Sequence, residues 1–322
     1  MPDPQFGVAL ENFTPATGEP NIDTILAYAA KAESLGFASA WAWDHILLGT
    51  RRAFPFLESL ATLTAIAART ERLRLGIGVL VLPLRNPVIL AKELASLDQI
   101  SKGRLVLGLA AGWYEREFQA CGVPFAERGR IFVKNLDIVK RLWTEDSVNG
   151  SVDNYVFNQA VMLPKPHQRP HPPLFIGGYV DRVLRRVARY GDGWLTYFYT
   201  PETFRATWAK IRGFAEEQGR NPAELHNVSQ LPICVAASYE EADRSVKDFI
   251  GRYFDVAPWS ESTPESAIRG TPAQCAEQLA AHLDAGEEHI VLIPSDYRPE
   301  QVEVIAHEVL PRLRPGARRV HA

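Results

Sequence analysis

Two rhythms of apolar and polar positions take turns along this chain. Short apolar runs occupy Phe6–Leu10, Ser39–Trp43, Leu73–Leu82, Leu105–Ala110, Leu174–Ile176, Gly193–Tyr197, Val228–Ala236 and His289–Ile293. Segments with helical spacing separate them: Ile22–Leu35, Phe56–Arg69, Val88–Ile100, Arg130–Trp143, Arg182–Tyr190, Pro201–Gln218, Glu240–Phe254 and Thr271–Ala285. A last helix is expected after Pro299. Sustained strand–helix alternation predicts parallel strands joined by helical crossovers. Eight of each in 322 residues predict an α/β protein: one (β/α)8 TIM barrel with loop insertions, a single domain over residues 1–322. An open sheet would leave two edge strands to protect, and no edge devices are visible.

Two stretches break the cadence. Between Asn149 and Pro173 a short alternating run (Tyr155, Phe157, Ala160, Met162) precedes a connector rich in Pro and His. It predicts a small hairpin and then an extended lead into the fifth strand. The polar stretch Val256 to Gly270 predicts a loop before the next helix. Loops this long inside a compact domain often shape a binding site.

Composition narrows the function classes. A formal net charge of -3 argues against a nucleic-acid partner, which needs a concentrated basic surface. The Arg318–Arg319 pair is too short to supply one. Cys121, Cys234 and Cys275 are odd in number and widely spaced, which suggests neither a disulfide framework nor a zinc site. The start, Met1-Pro2-Asp3-Pro4, lacks the basic and apolar regions of a signal peptide. The longest apolar stretch, Leu73 to Leu94, is broken by Arg74, Pro83, Arg85 and Lys92, so no membrane span is expected. A cytoplasmic location follows as the expectation.

Barrel enzymes carry their sites where strands end. The residues there are Glu11-Asn12-Phe13, Asp44-His45, Leu82 to Pro87, Ala110-Ala111-Gly112-Trp113 and Gly177-Gly178-Tyr179. His45 is the candidate acid/base group, because imidazole titrates near neutrality. Strand alternation sends Asp44 to the other side, so it is expected to orient backbone or cofactor rather than pair with His45. A satisfied structural histidine is the bland alternative. On the third and fourth strands Gly76 and Gly78, and Val106, Gly108 and Ala110, lie on one face. Small side chains there leave open space for a flat ring, or else make room for large residues from across the barrel. Gly177-Gly178 between strand and helix suits a phosphate, or is a plain tight turn. Arg182, Arg185, Arg186 and Arg189 read as one solvated helix face, although Arg182 could assist a phosphate. Trp113 lines a substrate cavity or belongs to the core. His167 and His171 have i,i+4 spacing, but their Pro-rich segment cannot be helical, so no metal pair is expected. His282 and His289 are expected to be structural.

The runs GIGVLVLPLRNPVILAK (Gly76–Lys92), DQISKGRLVLGLAAGW (Asp98–Trp113), GVPFAERGR (Gly122–Arg130), PPLFIGG (Pro172–Gly178) and GDGW (Gly191–Trp194), in this order, resemble the bacterial-luciferase-like monooxygenase superfamily. The similarity extends from Phe6 to about Leu313, and the nearest look is to the subgroup that uses coenzyme F420. Members using FMN follow closely. The resemblance implies a flavin-type oxidoreductase or monooxygenase acting on a small organic substrate. His45 would be the active-site base or proton donor, and Asp44 would lie beside the cofactor ring. Gly78-Val79 would form a non-prolyl cis peptide behind that ring. Ala111 and Gly112 would border the cofactor, and Gly177 and Gly178 would give backbone donors to its phosphate. Tyr179 stands where the family is usually small and polar; its N–H could still serve, or its ring could cover the cofactor tail. Sugar-phosphate dehydrogenases of the superfamily carry an acid where this chain has Trp113, which puts that activity in doubt. Trp194, Tyr197, Phe198 and Tyr199, with Trp43 and Phe13, suggest an apolar substrate pocket. An FMN enzyme of this kind would need a flavin reductase as partner. Members are commonly homodimers, and no interface signature is visible. A non-catalytic flavin-binding protein is the alternative of another class. A metal-dependent hydrolase lacks convergent ligands.

Overall fold

A computed structural model describes residues 4–15, 18–49, 54–254 and 263–313. Residues 1–3, Arg318–Arg319 and the 256–262 part of the expected polar loop lie outside the described residues. Eleven strands occur among them: β1 Gln5–Ala9, β2 Ser39–Ala42, β3 Arg74–Val81, β4 Leu105–Ala110, β5 Val148–Val152, β6 Tyr155–Ala160, β7 Leu174–Gly177, β8 Gly193–Tyr197, β9 His226–Val235, β10 Ile268–Gly270 and β11 His289–Pro294. Eight of them close a parallel barrel in the order β1-β2-β3-β4-β7-β8-β9-β11 and back to β1. These eight coincide with the eight apolar runs in the sequence. β5 and β6 form the expected hairpin, antiparallel to each other and outside the barrel.

Local chemistry sets where the helices begin. Asn21, Asn86, Thr200 and Thr271 cap helices Ile22–Ser34, Pro87–Ile100, Pro201–Glu217 and Pro272–Asp284, three of which open on proline. The helix expected from Phe56 starts instead at Ser59, behind Glu58, which accepts from the Ala61 N–H. Phe56 is withheld because it bridges to Phe13, and their rings stack at 4.8 Å. Among the short elements that were not expected are helix Glu115–Ala120, and helix Thr263–Ser266 and β10 inside the polar stretch. β8 pairs with β9 only as far as Gln230, beyond which β10 pairs with Ile233 to Val235.

Alternate strand residues fill the barrel, while the others meet the helices. For the glycine face of β3 and β4 the structure decides between the two readings. A Cβ on Gly76 would lie 2.1 Å from the Trp41 ring, one on Gly78 2.1 Å from the Gln230 amide, and one on Gly108 2.6 Å from Leu195. Those glycines make room for residues from other strands; they are not an empty shelf. At the same level His289 Nε2 lies 2.7 Å from Ser39 Oγ, which accepts from Trp41 Nε1. Burial holds His289 down at about 3, so it is neutral and structural.

Candidate functional site

Above this filled layer, at the strand C-termini, the barrel opens into a cleft of about 270 Å³. Phe13, Trp43, Asp44, His45, Gly78, Val79, Ala111, Gly112, Trp113, Gly177, Gly178, Tyr179 and Tyr197, all singled out in the sequence, line it. The third, fourth and fifth barrel strands therefore do meet at one place. A Cβ on Gly177 would lie 3.0 Å from Val79 Cγ1 and 3.8 Å from the Ala110 Cβ. The small floor is thus made by Val79, Ala110 and Gly177, one layer above Gly76 and Gly108. The peptide between Gly78 and Val79 is cis. Gly112 has φ +82°, and a Cβ there would run into the Phe118 ring and Val81 at 2.7 Å, so only glycine fits.

Asp44 and His45 turn to different partners. Buried Asp44 accepts from Ser59 Oγ at 2.9 Å, the Val81 N–H at 3.0 Å and Arg85 Nη2 at 2.7 Å. Arg85 also reaches Glu58 at 3.1 Å. Both Asp44 oxygens are therefore occupied by Ser59, Val81 and Arg85. Burial pulls the Arg85 guanidinium down, but Asp44 and Glu58 more than offset this and leave it raised.

His45 Nδ1 lies 3.0 Å from Oε2 of Glu117. Oε1 of the same carboxylate accepts from the Ile46 and Leu47 N–H groups at 2.5 and 3.0 Å. Glu117 is 1 % exposed and sits on the unexpected helix Glu115–Ala120. Burial pushes its carboxyl up, yet His45 and the two N–H groups outweigh that and hold it below the ordinary carboxylate value. Phe56 and Trp113 meet the imidazole edge-on at 5.7 and 6.0 Å. Nothing in the sequence distinguishes Glu117 from its neighbour Glu115.

One wall is aromatic. Phe13 packs edge-on against Trp43 at 5.8 Å and Tyr253 at 5.7 Å, and Trp43 stacks on Tyr197 at 5.9 Å. Tyr253 and Phe254, from the end of helix Tyr239–Tyr253, complete it and were not anticipated. Tyr253 donates its hydroxyl to Glu11. Trp194 does not join this wall. It faces outward, stacks on Phe204 at 5.5 Å, and donates Nε1 to the Gly178 carbonyl at 3.0 Å. Tyr199 stacks with Tyr179 at 5.9 Å at the edge of the cleft.

The far end is cationic. Gly178, with φ +146°, leads to helix Asp181–Tyr190, whose cap residue Val180 contributes no side-chain hydrogen bond. The four arginines of this helix divide. Arg185 pairs with Glu217 at 2.6 Å and lies over Phe214, and Arg189 lies over Tyr190. Arg182 and Arg186 line the cleft, and neither has a carboxylate partner among the described residues. Burial, then the charge of Arg182, holds Arg186 below the usual guanidinium value. A helix N-terminus beside two guanidiniums has the positive charge and free N–H groups that attract anions.

Among the described residues no helix is long and apolar enough to cross a membrane. The protein family described as luciferase-like monooxygenase matches residues 5–289. An FMNH(2)-dependent dimethylsulfone monooxygenase of Pseudomonas putida is 28 % identical over 287 residues, covering 80 % of this chain and 78 % of that protein. An F420-dependent glucose-6-phosphate dehydrogenase of Amycolatopsis mediterranei is 25 % identical, covering 90 % and 94 %. An F420-dependent secondary alcohol dehydrogenase, solved with an F420–acetone adduct, superposes with a TM-score of 0.80 at 20 % identity, covering 97 % and 99 % of the two chains.

Proposed function

Because this chain belongs to the luciferase-like monooxygenase family, we propose that its cleft takes coenzyme F420 and that it transfers a hydride between that cofactor and a small organic substrate. The residues present suit such a group. A narrow floor of Val79, Ala110 and Gly177 matches the flat face of a tricyclic ring. Arg182, Arg186 and the start of helix Asp181–Tyr190 suit the phosphate of its tail. The deazaflavin ring, when bound, supplies the carbon that accepts or gives the hydride. Asp44 fixes the β3 rim through the Val81 N–H, while Phe13, Trp43, Tyr197 and Trp113 keep an apolar space for substrate. His45 takes up or returns the substrate proton beside that space. The observation that carries this reading is the convergence of the small floor, the imidazole and the two guanidiniums in one cleft.

A second reading is reduced FMN with oxygen and a separate flavin reductase, and it is supported by the likeness to an FMNH(2)-dependent monooxygenase, 28 % identical over 287 residues. Parallel equilibrium titrations with F420, FMN and reduced FMN separate the two. A hundredfold preference corresponds to about 2.7 kcal/mol. Saturable binding of a cofactor with no turnover of any substrate would instead support a binding-only protein. A homodimer and a cytoplasmic setting complete the proposal; sedimentation and cell fractionation test them.

A further inference from the structure

We infer that Glu117 is a positioning residue that fixes which nitrogen of His45 can exchange a proton, and that it clamps the chain after β2 through the same carboxylate. The inference deepens the role proposed for His45 and rests on it. An ionised carboxylate only accepts hydrogen bonds. Oε1 is occupied by the Ile46 and Leu47 N–H groups, and Oε2 faces His45 Nδ1 at 3.0 Å. Nδ1 must therefore carry a hydrogen, and the neutral ring keeps its lone pair on Nε2. Nε2 has no hydrogen-bond partner among the described residues, and His45 lines the cleft. The edge-on rings of Phe56 and Trp113 limit rotation of the imidazole. Neutral His45 is thus a base at Nε2 and becomes an acid there once protonated.

The clamp joins two loops far apart in sequence. Glu117 holds residues 45 to 47, and three residues before it the Tyr114 hydroxyl donates to the Gly49 carbonyl at 2.5 Å. Helix Glu115–Ala120, six residues long, is held by this bonding and by the fully buried Phe118 ring. Ile46 and Leu47 are 40 % and 55 % exposed, so the loop has little apolar burial of its own to hold it.

Glu117→Gln separates the two roles. The amide oxygen still accepts from Ile46 and Leu47, which leaves the NH₂ facing Nδ1. A donor there forces Nδ1 to accept, and the proton moves to Nε2. The test is nitrogen-15 NMR of histidine-labelled full-length protein, with His45 assigned by its loss in His45→Asn, at a pH where the ring is neutral. Wild type should show a protonated Nδ1 and an unprotonated Nε2, and Glu117→Gln should show the reverse. With an active substrate, Glu117→Gln should lower kcat by about 10²–10⁴-fold with little change in KM. A wild-type spectrum with hydrogen on Nε2 overturns the inference, and so does an unchanged spectrum in the variant. The wild-type measurement stands even if the variant fails to fold. It requires no cofactor, so its failure is distinct from failure of the F420 reading.

Discussion

Trp41 lies so close to Gly76 that a single methyl group on the glycine would sit 2.1 Å from the indole ring. Trp41 is fully enclosed in the barrel, held by its Nε1 to Ser39, and has no room to retreat. The floor of the cleft is supported by this packed layer, not by open space.

Gly76→Ala should therefore destabilise the fold by about 1–3 kcal/mol, the usual cost of overpacking a filled core. Urea denaturation checks this. A variant as stable as wild type would show that the layer beneath the cleft is loose.

Most of the barrel was legible in the sequence, because apolar runs and helical spacing alternate eight times along the chain. β10 and helix Glu115–Ala120, at three and six residues, are too short to carry a period. The glycines of β3 and β4 were ambiguous for another reason: whether a small residue leaves a void depends on what reaches it from across the barrel. Glu117 is 72 residues from His45, and Tyr253 reaches Glu11 across 242. No local pattern encodes such pairings. Apart from Arg182, the arginines on helix Asp181–Tyr190 looked equivalent because their separation into cleft and solvent depends on Glu217 and Phe214, which belong to the following helix.

Asp44→Ala should be costly in a different way. It leaves Arg85 without its buried partner and Val81 without its acceptor. Removing one member of a buried pair typically costs about 3–5 kcal/mol. Thermal unfolding should register this, and Asp44→Ala with Arg85→Met should recover part of the loss. No recovery in the double variant would mean that Asp44 acts through its other partners.

Arg186→Gln and Arg182→Gln should each weaken a phosphate-bearing cofactor by about tenfold or more, since a charge-assisted hydrogen bond contributes about 1.5–3 kcal/mol. The same variants should leave the affinity for riboflavin, which has no phosphate, nearly unchanged. Equal losses for both ligands would place the phosphate elsewhere.

Glu117 also predicts an acid limb in stability. Its folded carboxyl lies below the ordinary value of 4.5, so the native state holds fewer protons than the unfolded chain as pH falls past that point. The stability it contributes is fully present above 4.5 and is lost as pH drops through its lower folded value. The stability gap between wild type and Glu117→Gln should thus shrink as pH falls below 4.5. Urea midpoints across that range test it; a gap that widens in acid has the wrong sign.

The most direct measurement is an equilibrium titration of the purified chain with F420 and with FMN, repeated with Gly177→Leu, which fills the floor beside Val79 and Ala110. Wild type should bind F420 saturably at one site per chain and about a hundredfold more tightly than FMN, and Gly177→Leu should abolish binding while the fold persists. Failure of wild type to bind either cofactor, or undiminished binding with the floor filled, would contradict the assignment of this cleft as the cofactor site.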